Sequence, residues 1–414
     1  MKQVKALVLG YGRSGKAAEA LLKARGCEVV VLDGEDEFPQ GASFAFAVVS
    51  PGVALTHPWI AACRERAIPF KSELQLGCEE LRRRGWRLLG VTGSKGKSSV
   101  VKLVADAIML SGAHAVACGN YGVPVCEVAL ADANAVSAAG RWAVVEVSSF
   151  MMETTKLPRG TFEAAAVLNL QEDHLDRHGS VEVYHALKRK LLTMAKDDEN
   201  ARDWSVRDAH RLAESVCPDG SDAIVEGSYF DNPILRRNAL AAIGLLSPLK
   251  LSAKVLRRAF TEFKALPHRM NTVAELDGVR YIDDSKATSL AALEAGVKMV
   301  ACGVADRRNV RLVAGGLPKG DDPKNVLSVL TERVKKVYLI GQSAEMFRSV
   351  WETTVDCEVC GTMERAVRSV MREAVKGETV LLSPGTASFD QFQSFGERGD
   401  VFADLVKSKG QRKK

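Results

Sequence analysis

Residues 90–99 combine three glycines, two lysines and paired hydroxyls in the order Gly-Val-Thr-Gly-Ser-Lys-Gly-Lys-Ser-Ser. Gly93 and Gly96 would let backbone N–H groups come close to an anion. Lys97 could reach the outer phosphates of a nucleotide, and the Ser98 hydroxyl could ligate Mg²⁺. The segment therefore predicts a phosphate-binding loop.

The segment after this loop, residues 100–110, predicts a helix whose positive dipole end would face the phosphates. A phosphate loop usually has a glycine separated by four residues from Gly-Lys-Ser, and here Val91 takes that place. The loop is therefore a variant. A plain glycine turn between strand and helix is the alternative, but it would leave two lysines repelling each other without a partner.

Three more polar groups follow in the same part of the chain. Glu146 ends an apolar strand just before Ser148-Ser149, a place that suits a metal-binding carboxylate facing the loop. His174 lies in an acidic run after another apolar strand, and Lys188 lies on a predicted helix. Taken alone, His174 is typical of a hydrogen-bonded loop histidine and Lys188 of a solvated helix lysine. Together with the phosphate loop they indicate a nucleotide and metal site.

Near the N-terminus, residues 10–15 read Gly-Tyr-Gly-Arg-Ser-Gly between a predicted strand and a helix, and Asp33 ends the next strand. This is the dinucleotide-binding fingerprint, which favours NAD(P) when taken alone. Its glycines permit close approach of any diphosphate, so another nucleotide diphosphate would fit equally well.

In the last third of the chain, three polar segments each follow a predicted strand: residues 281–289, 315–319 and 383–392. The carboxyl ends of parallel strands meet at one edge of a sheet, so these segments should converge. Their lysines and hydroxyls predict a site for a small carboxylate-bearing molecule.

Apolar β-branched runs alternate with helical patterns, which predicts an α/β fold with parallel sheets. We expect three domains: a Rossmann-like domain over 1–86, a central phosphate-loop domain over 87–265 and a Rossmann-like domain over 266–414. A hairpin is predicted at the start of the third block, with Asp277-Gly278 as its turn.

The chain has 414 residues and a net charge of +6, and part of this charge lies in the tail 407–414, expected to be frayed. A net charge this small for the length of the chain does not indicate nucleic acid binding. The nine cysteines are scattered, and Cys357-x-x-Cys360 favours strand filling over a zinc site. With no apparent signal peptide or membrane span, a monomer in the reducing cytoplasm is expected.

Together, these motifs resemble the Mur ligases over nearly the whole chain. The motifs that carry the resemblance are Gly-Val-Thr-Gly-Ser-Lys-Gly-Lys-Ser, Gly119-Asn-Tyr-Gly122, Glu146-Val-Ser-Ser-Phe150, Glu172-Asp-His-Leu-Asp176, Leu266-Pro-His-Arg269, Asp284-Ser-Lys-Ala-Thr288 and Ser383-Pro-x-x-Ala-Ser-x-Asp-Gln-Phe392. The Asp-Ser-Lys-Ala-Thr run is similar to the branch that adds D-glutamate.

The resemblance implies an ATP-dependent amide ligation in peptidoglycan precursor synthesis. The L-alanine carboxylate of UDP-N-acetylmuramoyl-L-alanine would take the γ-phosphate of ATP, and D-glutamate would then displace phosphate from the acyl phosphate. The first domain would accordingly bind UDP and not NAD. Two Mg²⁺ ions are implied, and the lysine at the Lys188 position would be carbamylated.

The resemblance also implies roles for individual residues. Catalysis would rest on Lys97, His174 and Lys188. The metal ligands would be Ser98, Glu146, His174 and Lys188. ATP would be bound by Gly93, Ser94, Lys95, Gly96, Lys97, Ser98, Ser99, Asn238, Arg269 and Asp284. The UDP substrate would be bound by Gly10, Gly12, Arg13, Ser14, Asp33, Ser50, Pro51, Gly52, Asn120 and His174. D-Glutamate would be bound by Lys286, Thr288, Lys319, Ser388 and Phe395.

Some positions depart from the family pattern. The family usually has a His-Asn pair before the asparagine that Asn238 matches, and here Ile234-Leu235 stand in its place. Which residues contact the adenine therefore stays open. Ser289, Gln171 and Leu317-Pro318 are further departures. A folylpolyglutamate synthetase-like ligase and a non-catalytic nucleotide-binding homologue therefore remain alternatives.

Overall fold

The computed structural model describes residues 4–131, 140–206, 222–232, 235–301 and 308–412. The chain divides into two compact units, residues 1–263 and 264–414. In the described residues the strands form three sheets, two in the first unit and one in the second. Helices follow most strands, so the predicted α/β fold with parallel sheets is confirmed.

The first sheet has the strand order β2-β1-β3-β4, and all its pairs are parallel. Its strands are β1 (Lys5–Leu9), β2 (Glu28–Leu32), β3 (Phe46–Val49) and β4 (Phe70–Ser72), and its helices are α1 (Arg13–Ala24), α2 (Pro58–Glu65) and α3 (Glu73–Arg83). In the central strand β1, Leu7 and Val8 point to opposite faces and are both fully buried. This burial on both faces explains the continuous apolar runs in the sequence.

The second sheet is also parallel, with the order β6-β7-β5-β8-β9. Its strands are β5 (Arg87–Thr92), β6 (His114–Gly119), β7 (Arg141–Glu146), β8 (Ala164–Val167) and β9 (Ala201–Asp203). Its helices are α4 (Lys97–Leu110), α5 (Val125–Ala131), α6 (Ser149–Glu153), α7 (Leu175–His178), α8 (Val181–Arg189), α9 (Asp222–Val225), α10 (Arg236–Leu246) and α11 (Ala253–Thr261), with 3₁₀ turns at Lys190–Met194 and Ser247–Leu249.

The third sheet, in the second unit, has the order β10-β11-β15-β12-β13-β14. Its strands are β10 (Asn271–Leu276), β11 (Val279–Asp283), β12 (Val310–Gly315), β13 (Val334–Ile340), β14 (Asp356–Gly361) and β15 (Thr379–Leu382). Its helices are α12 (Leu290–Val300), α13 (Leu327–Arg333), α14 (Ala344–Trp351), α15 (Met363–Glu373) and α16 (Phe395–Arg412), with a 3₁₀ turn at Pro323–Val326.

Strands β10 and β11 form the predicted antiparallel hairpin. Its turn residues Asp277 and Gly278 have φ of 53° and 74°, which is the backbone a tight type I′ turn requires. All other pairs of the third sheet are parallel.

Two element predictions were wrong. Helix α4 begins at Lys97 and not at residue 100, because the loop ends at Gly96 and the lysine and serines continue into the first helical turn. The C-terminal tail is not frayed over 407–412, because α16, which packs through the buried Phe402 and Val406, extends to Arg412; residues 413–414 lie outside the described residues.

Candidate active site

The carboxyl edge of the second sheet brings together the motifs predicted to handle nucleotide and metal. Strand β5 leads into the phosphate loop and lies between β7, which ends at Glu146, and β8, which leads to the segment 169–174. Val91 and Glu146 are register partners, and the backbone N–H of Leu168 donates to the Thr92 carbonyl. Such an edge is where open α/β sheets bind ligands.

The phosphate loop has the glycine conformation that its sequence predicts. Gly96 has a φ of 81°, and a Cβ there would lie 2.4 Å from Asn238 Nδ2. A side chain at Gly96 would therefore strain the backbone and clash with α10. Gly96 caps α4, whose N-terminal N–H groups face the loop.

Two lysines converge on one carbonyl of this loop. Lys97 Nζ donates to the Gly93 carbonyl at 2.8 Å and to the Ser94 carbonyl at 3.0 Å. Lys188 Nζ, from α8, donates to the same Gly93 carbonyl at 3.0 Å. Lys188 is 2% exposed, and burial, reinforced by the charge of Lys97, lowers its pKa to about 7.

Side chains from α8 and the segment after β8 hold the loop in place. The Tyr184 hydroxyl lies 3.0 Å from Ser94 Oγ, and its ring lies 4.6 Å from Lys188 Nζ. Asn169 accepts from the Lys95 N–H at 2.8 Å and donates to the Lys95 carbonyl at 2.9 Å. Sequence reasoning missed Tyr184, although its spacing of four from Lys188 places both on one face of a helix.

Glu146 has the surroundings expected of a cation ligand. It is 2% exposed, and its Oε1 accepts from Asn120 Nδ2 at 2.7 Å. Within the described part of the chain its other oxygen, Oε2, is buried and has no hydrogen-bond partner. A buried carboxylate oxygen in this state is costly, and a hard cation would satisfy it. The residues present therefore fit Mg²⁺.

The predicted metal set is not preassembled as a cluster of titratable ligands. Among the described residues, no group of three or more His, Cys, Asp or Glu side chains is placed to hold a metal. The His174 ring lies 4.7 Å from the ring of Phe150, and its Nε2 lies 3.7 Å from Asp173. The predicted role of His174 as a ligand stays a prediction.

The first sheet gathers its predicted nucleotide residues at the carboxyl ends of β1, β2 and β3. Asp33 accepts from the Tyr11 N–H at 2.9 Å, and Ser50 Oγ donates to the Gly10 carbonyl at 2.7 Å. Gly12 caps α1, so Arg13 and Ser14 lie in its first turn, and Pro51 and Gly52 follow Ser50. The turn therefore has the glycine-rich strand-to-helix form that the sequence predicts, and its binding of a diphosphate stays a prediction.

In the second unit, β11, β15 and β12 are neighbours, so the three polar segments do converge on one edge as predicted. Ser383 Oγ donates to Asp284 Oδ2 at 3.1 Å, and burial raises the pKa of Asp284 to about 7. Lys286 Nζ lies 4.2 Å from the centre of the Phe395 ring. Ser388 is buried, whereas Lys319 is exposed and Thr288 and Arg269 are half-buried.

Sequence reasoning also missed Arg398, which organises this edge from α16. Its guanidinium is fully buried and donates to the carbonyls of Ser285, Thr386 and Ala387 at 2.8–3.2 Å. It thus joins the loop after β11 to the loop after β15. An arginine on a long polar helix gives no sequence signal of such burial.

The segment that departs from the family pattern near Asn238 is only partly described. Asn238 lies beside the phosphate loop, as its expected contact with nucleotide requires. Of the two residues that replace the His-Asn pair, Leu235 is described, and Ile234 lies outside the described residues.

Comparison with known proteins places the chain in a family. Residues 91–212 match the family model described as Mur ligase middle domain, and 268–385 match the one described as Mur ligase, glutamate ligase domain. The UDP-N-acetylmuramoylalanine–D-glutamate ligase of Acidobacterium capsulatum is 32% identical, with 98% of this chain and 96% of the relative covered. The ligase of the same name from Nitratidesulfovibrio vulgaris is 33% identical, with 97% of this chain and 96% of the relative covered.

Solved structures show the same fold. The UDP-N-acetylmuramate–alanine ligase MurC of Thermotoga maritima matches with a TM-score of 0.59 at 15% identity, over 98% of this chain and 100% of the other. The MurF ligase of Thermotoga maritima, in complex with ADP, matches with a TM-score of 0.59 at 14% identity, over 100% of this chain and 96% of the other. The near full-length relatives above 30% identity decide the assignment: the chain belongs to the Mur ligase family, in the group of the UDP-N-acetylmuramoylalanine–D-glutamate ligases.

Proposed function

We propose that the protein is an ATP-dependent ligase that joins D-glutamate to UDP-N-acetylmuramoyl-L-alanine in peptidoglycan precursor synthesis. The observation that carries the proposal is the identity of 30% or more to ligases of that name over nearly the whole length of both chains. The converging lysines, the glycine loop and the buried carboxylate at the edge of the second sheet supply the chemistry that this reaction needs.

ATP is a substrate in this reaction, and the phosphate loop would receive its phosphates. Lys97 would exchange the Gly93 and Ser94 carbonyls for phosphate oxygens, which bind an ammonium group more strongly than a neutral carbonyl does. The N–H groups at the start of α4 would support the same charge. The L-alanine carboxylate attacks the γ-phosphorus, ADP leaves, and an acyl phosphate forms.

Mg²⁺ would be held by Glu146 Oε2 and the Ser98 hydroxyl, and a second ion by His174 and Lys188. When bound, these ions would neutralise charge on the transferred phosphoryl group. Asn120 would fix the orientation of Glu146 through the bond to Oε1. The chain's own contribution is to hold these oxygens at the edge of a rigid sheet.

Carbamylation of Lys188 fits its position. A buried ammonium beside Lys97 is unfavourable, whereas the neutral amine can add to CO₂ and release one proton to give a carbamate. The resulting anion would lie next to the lysines and could ligate the second ion. Mass spectrometry of the intact protein would lose this adduct under acid, so activity rescue is the better test: Lys188→Ala should be inactive and partly restored by short carboxylates.

D-Glutamate would be bound by the second unit through Lys286, Thr288, Lys319, Ser388 and Phe395. Two lysines provide charge for its two carboxylates, and Arg398 holds the loops that carry Ser388 and Lys286. The amine of D-glutamate then attacks the acyl carbonyl, phosphate leaves, and the amine loses a proton. We expect the protein to act as a monomer in the cytoplasm.

None of the helices in the described residues combines the length and the apolar character that crossing a bilayer requires. Purified protein is incubated with ATP, Mg²⁺, UDP-N-acetylmuramoyl-L-alanine and either D- or L-glutamate, and phosphate release is measured. We expect release with D-glutamate only.

Absence of release with D-glutamate would contradict the proposal. Two further arms identify the alternatives. ATP turnover with a folate substrate and L-glutamate would favour the folylpolyglutamate synthetase-like reading, and ATP binding without turnover would favour a non-catalytic homologue.

A further inference from the structure

One arginine next to the predicted catalytic segment makes an unusually large set of contacts. Arg177 lies three residues after His174, in α7, and its side chain is 15% exposed. Its Nε and Nη2 donate to the two carboxylate oxygens of Glu153 at 3.1 and 2.7 Å. This two-point pairing fixes the plane of the guanidinium.

The same guanidinium reaches the loop after β3 in the first sheet. Nη2 donates to the Val53 carbonyl at 2.9 Å and to the Pro51 carbonyl at 3.3 Å, and Nη1 donates to the Gly52 carbonyl at 3.3 Å. Three successive carbonyls of one loop are thus bound by one side chain. Pro51 and Gly52 belong to the set predicted to hold the UDP substrate.

Glu153 connects this clamp to the end of β7. Its side chain is 7% exposed and lies 3.3 Å from Nδ1 of His178, whose own side chain is 1% exposed. His178 Nε2 lies 3.0 Å from Ser149 Oγ, three residues after Glu146. Burial lowers the pKa of His178, so the neutral ring can donate from Nδ1 to Glu153 and accept from Ser149.

Phe150 completes the arrangement. Its ring lies 4.9 Å from the Arg177 guanidinium and 4.7 Å from the His174 ring. The arginine is therefore held by a carboxylate on one side and an aromatic face on another, with little freedom to move. The loop 51–53 is attached to a rigid group and not to a mobile surface side chain.

We propose that Arg177 is a positioning residue that holds the UDP-substrate loop 51–53 in register with the His174 segment and the phosphate loop. The proposal rests on the proposed function. The L-alanine carboxylate must meet the γ-phosphate, and a misplacement of about 1 Å can cost about a hundredfold in rate. A side chain that joins the substrate loop to the catalytic edge is a direct way to fix that distance.

The contacts predict what each substitution does. Arg177→Lys keeps the charge but cannot pair at two points with Glu153 and also reach three carbonyls. We expect the KM for UDP-N-acetylmuramoyl-L-alanine to rise about tenfold, which corresponds to the loss of one charged hydrogen bond. The KM for ATP should change less than about twofold, because no contact of Arg177 with the phosphate loop is present in the described residues. Glu153→Gln should give a smaller change in the same direction.

The test measures KM for both substrates, kcat and melting temperature in the full chain. Arg159→Lys is the matched control, because its pair with Asp198 is exposed and lies in the same unit. The control should leave all four quantities unchanged. A merely structural role for Arg177 would lower the melting temperature and raise both KM values in parallel, and that result, or an unchanged KM for the UDP substrate in Arg177→Lys, would overturn the proposal.

Calorimetric binding of the UDP substrate, which needs no turnover, separates this inference from the proposed function. If the wild type binds the UDP substrate but does not release phosphate, the proposed function fails, and weaker binding by Arg177→Lys still supports the clamp. If the wild type does not bind the UDP substrate, both proposals fail.

Discussion

At the scale of single residues, the most telling atom is Glu146 Oε2, which is buried without a hydrogen-bond partner in the part of the chain that the structure describes. Its companion oxygen accepts from Asn120. A carboxylate held by one oxygen and open at the other is arranged to receive a cation. The neighbouring Lys97 ammonium, which donates to the Gly93 and Ser94 carbonyls, has the charge that an anion at the same edge would need.

We expect Glu146→Gln to raise the Mg²⁺ concentration for half-maximal activity by about tenfold or more, because a neutral amide oxygen binds a hard cation more weakly. The amide can keep the bond to Asn120, so the fold should survive. The measurement is activity against Mg²⁺ concentration at saturating ATP. Glu127→Gln, on α5, is the control, and an unchanged Mg²⁺ dependence in Glu146→Gln would remove this carboxylate from the metal site.

Sequence reasoning found the residues whose chemistry is readable from type and spacing, and missed those defined by burial. The phosphate-loop lysines and Glu146 stand out because each follows a strand in a recognisable pattern. Tyr184, Arg177 and Arg398 act through contacts between segments far apart in the chain, and a polar residue on a helix gives no sign that it is buried. Only tertiary packing distinguishes them from surface residues.

At the scale of elements, the start of α4 is set by Gly96, where backbone conformation and close packing act together. A Cβ at this position would meet Asn238 at 2.4 Å in addition to the strain of a positive φ. The helix begins earlier than predicted because Gly96, without a Cβ, adopts the left-handed conformation directly before Lys97. The first turn of α4 thus belongs to the phosphate loop.

Gly96→Ala should weaken ATP binding by about tenfold or more, because the alanine must displace Asn238 or the loop itself. Gly112→Ala is a close control: its φ is 89°, but no atom lies within 4 Å of the added Cβ. Both variants carry the backbone strain, and only the first carries the clash. Equal ATP affinities of the two variants, measured by calorimetry, would show that the clash does not matter.

Two helices of the first unit are joined by a buried carboxylate. Glu73 begins α3 and accepts from the backbone N–H of Cys126, near the start of α5, at 2.7 Å. It is fully buried, and burial outweighs this bond and raises its pKa from 4.5 to about 7. The folded state therefore prefers the protonated acid.

This preference gives a pH dependence with a definite sign. Below pH 4.5 Glu73 is protonated in both the folded and the unfolded state, and its contribution to the free energy of unfolding is present in full. As the pH rises through about 7, that contribution is lost. The loss approaches about 3 kcal/mol at about 1.4 kcal/mol per pKa unit. Between pH 5 and pH 8 the free energy of unfolding in urea should fall less for Glu73→Gln than for the wild type, with Glu79→Gln, half-buried on the same helix, as the control. A parallel pH dependence in Glu73→Gln and wild type would contradict the assignment.

At the scale of the whole molecule, the alternation of apolar strands and helices was enough to predict parallel sheets and the convergence of motifs on their carboxyl edges. The order of strands was not predictable, because it depends on which helices cover which faces. The sequence also gave no sign that residues 1–263 form one compact unit with two sheets. Packing between α3 and α5, including the buried Glu73, contributes to that unit.

The second unit has apolar cores of its own, and one of them contains Phe347 stacked on Trp351 at 4.2 Å between ring centres. Phe347 is 2% exposed. Phe347→Ala should therefore destabilise this unit by about 3–5 kcal/mol, through lost burial and the cavity left behind. Because the cores of residues 1–263 are built from other side chains, their stability should change little.

Amide hydrogen exchange read by mass spectrometry resolves the two units in the intact protein. The expected result for Phe347→Ala is faster exchange in peptides from 264–414 and unchanged exchange in peptides from 1–263. Met346→Ala is the control, because the Met346 side chain, next to Phe347 in the sequence, is 40% exposed. Loss of protection by the same factor in both units would mean that they unfold as one cooperative body, and the division into two units would then describe packing and not stability.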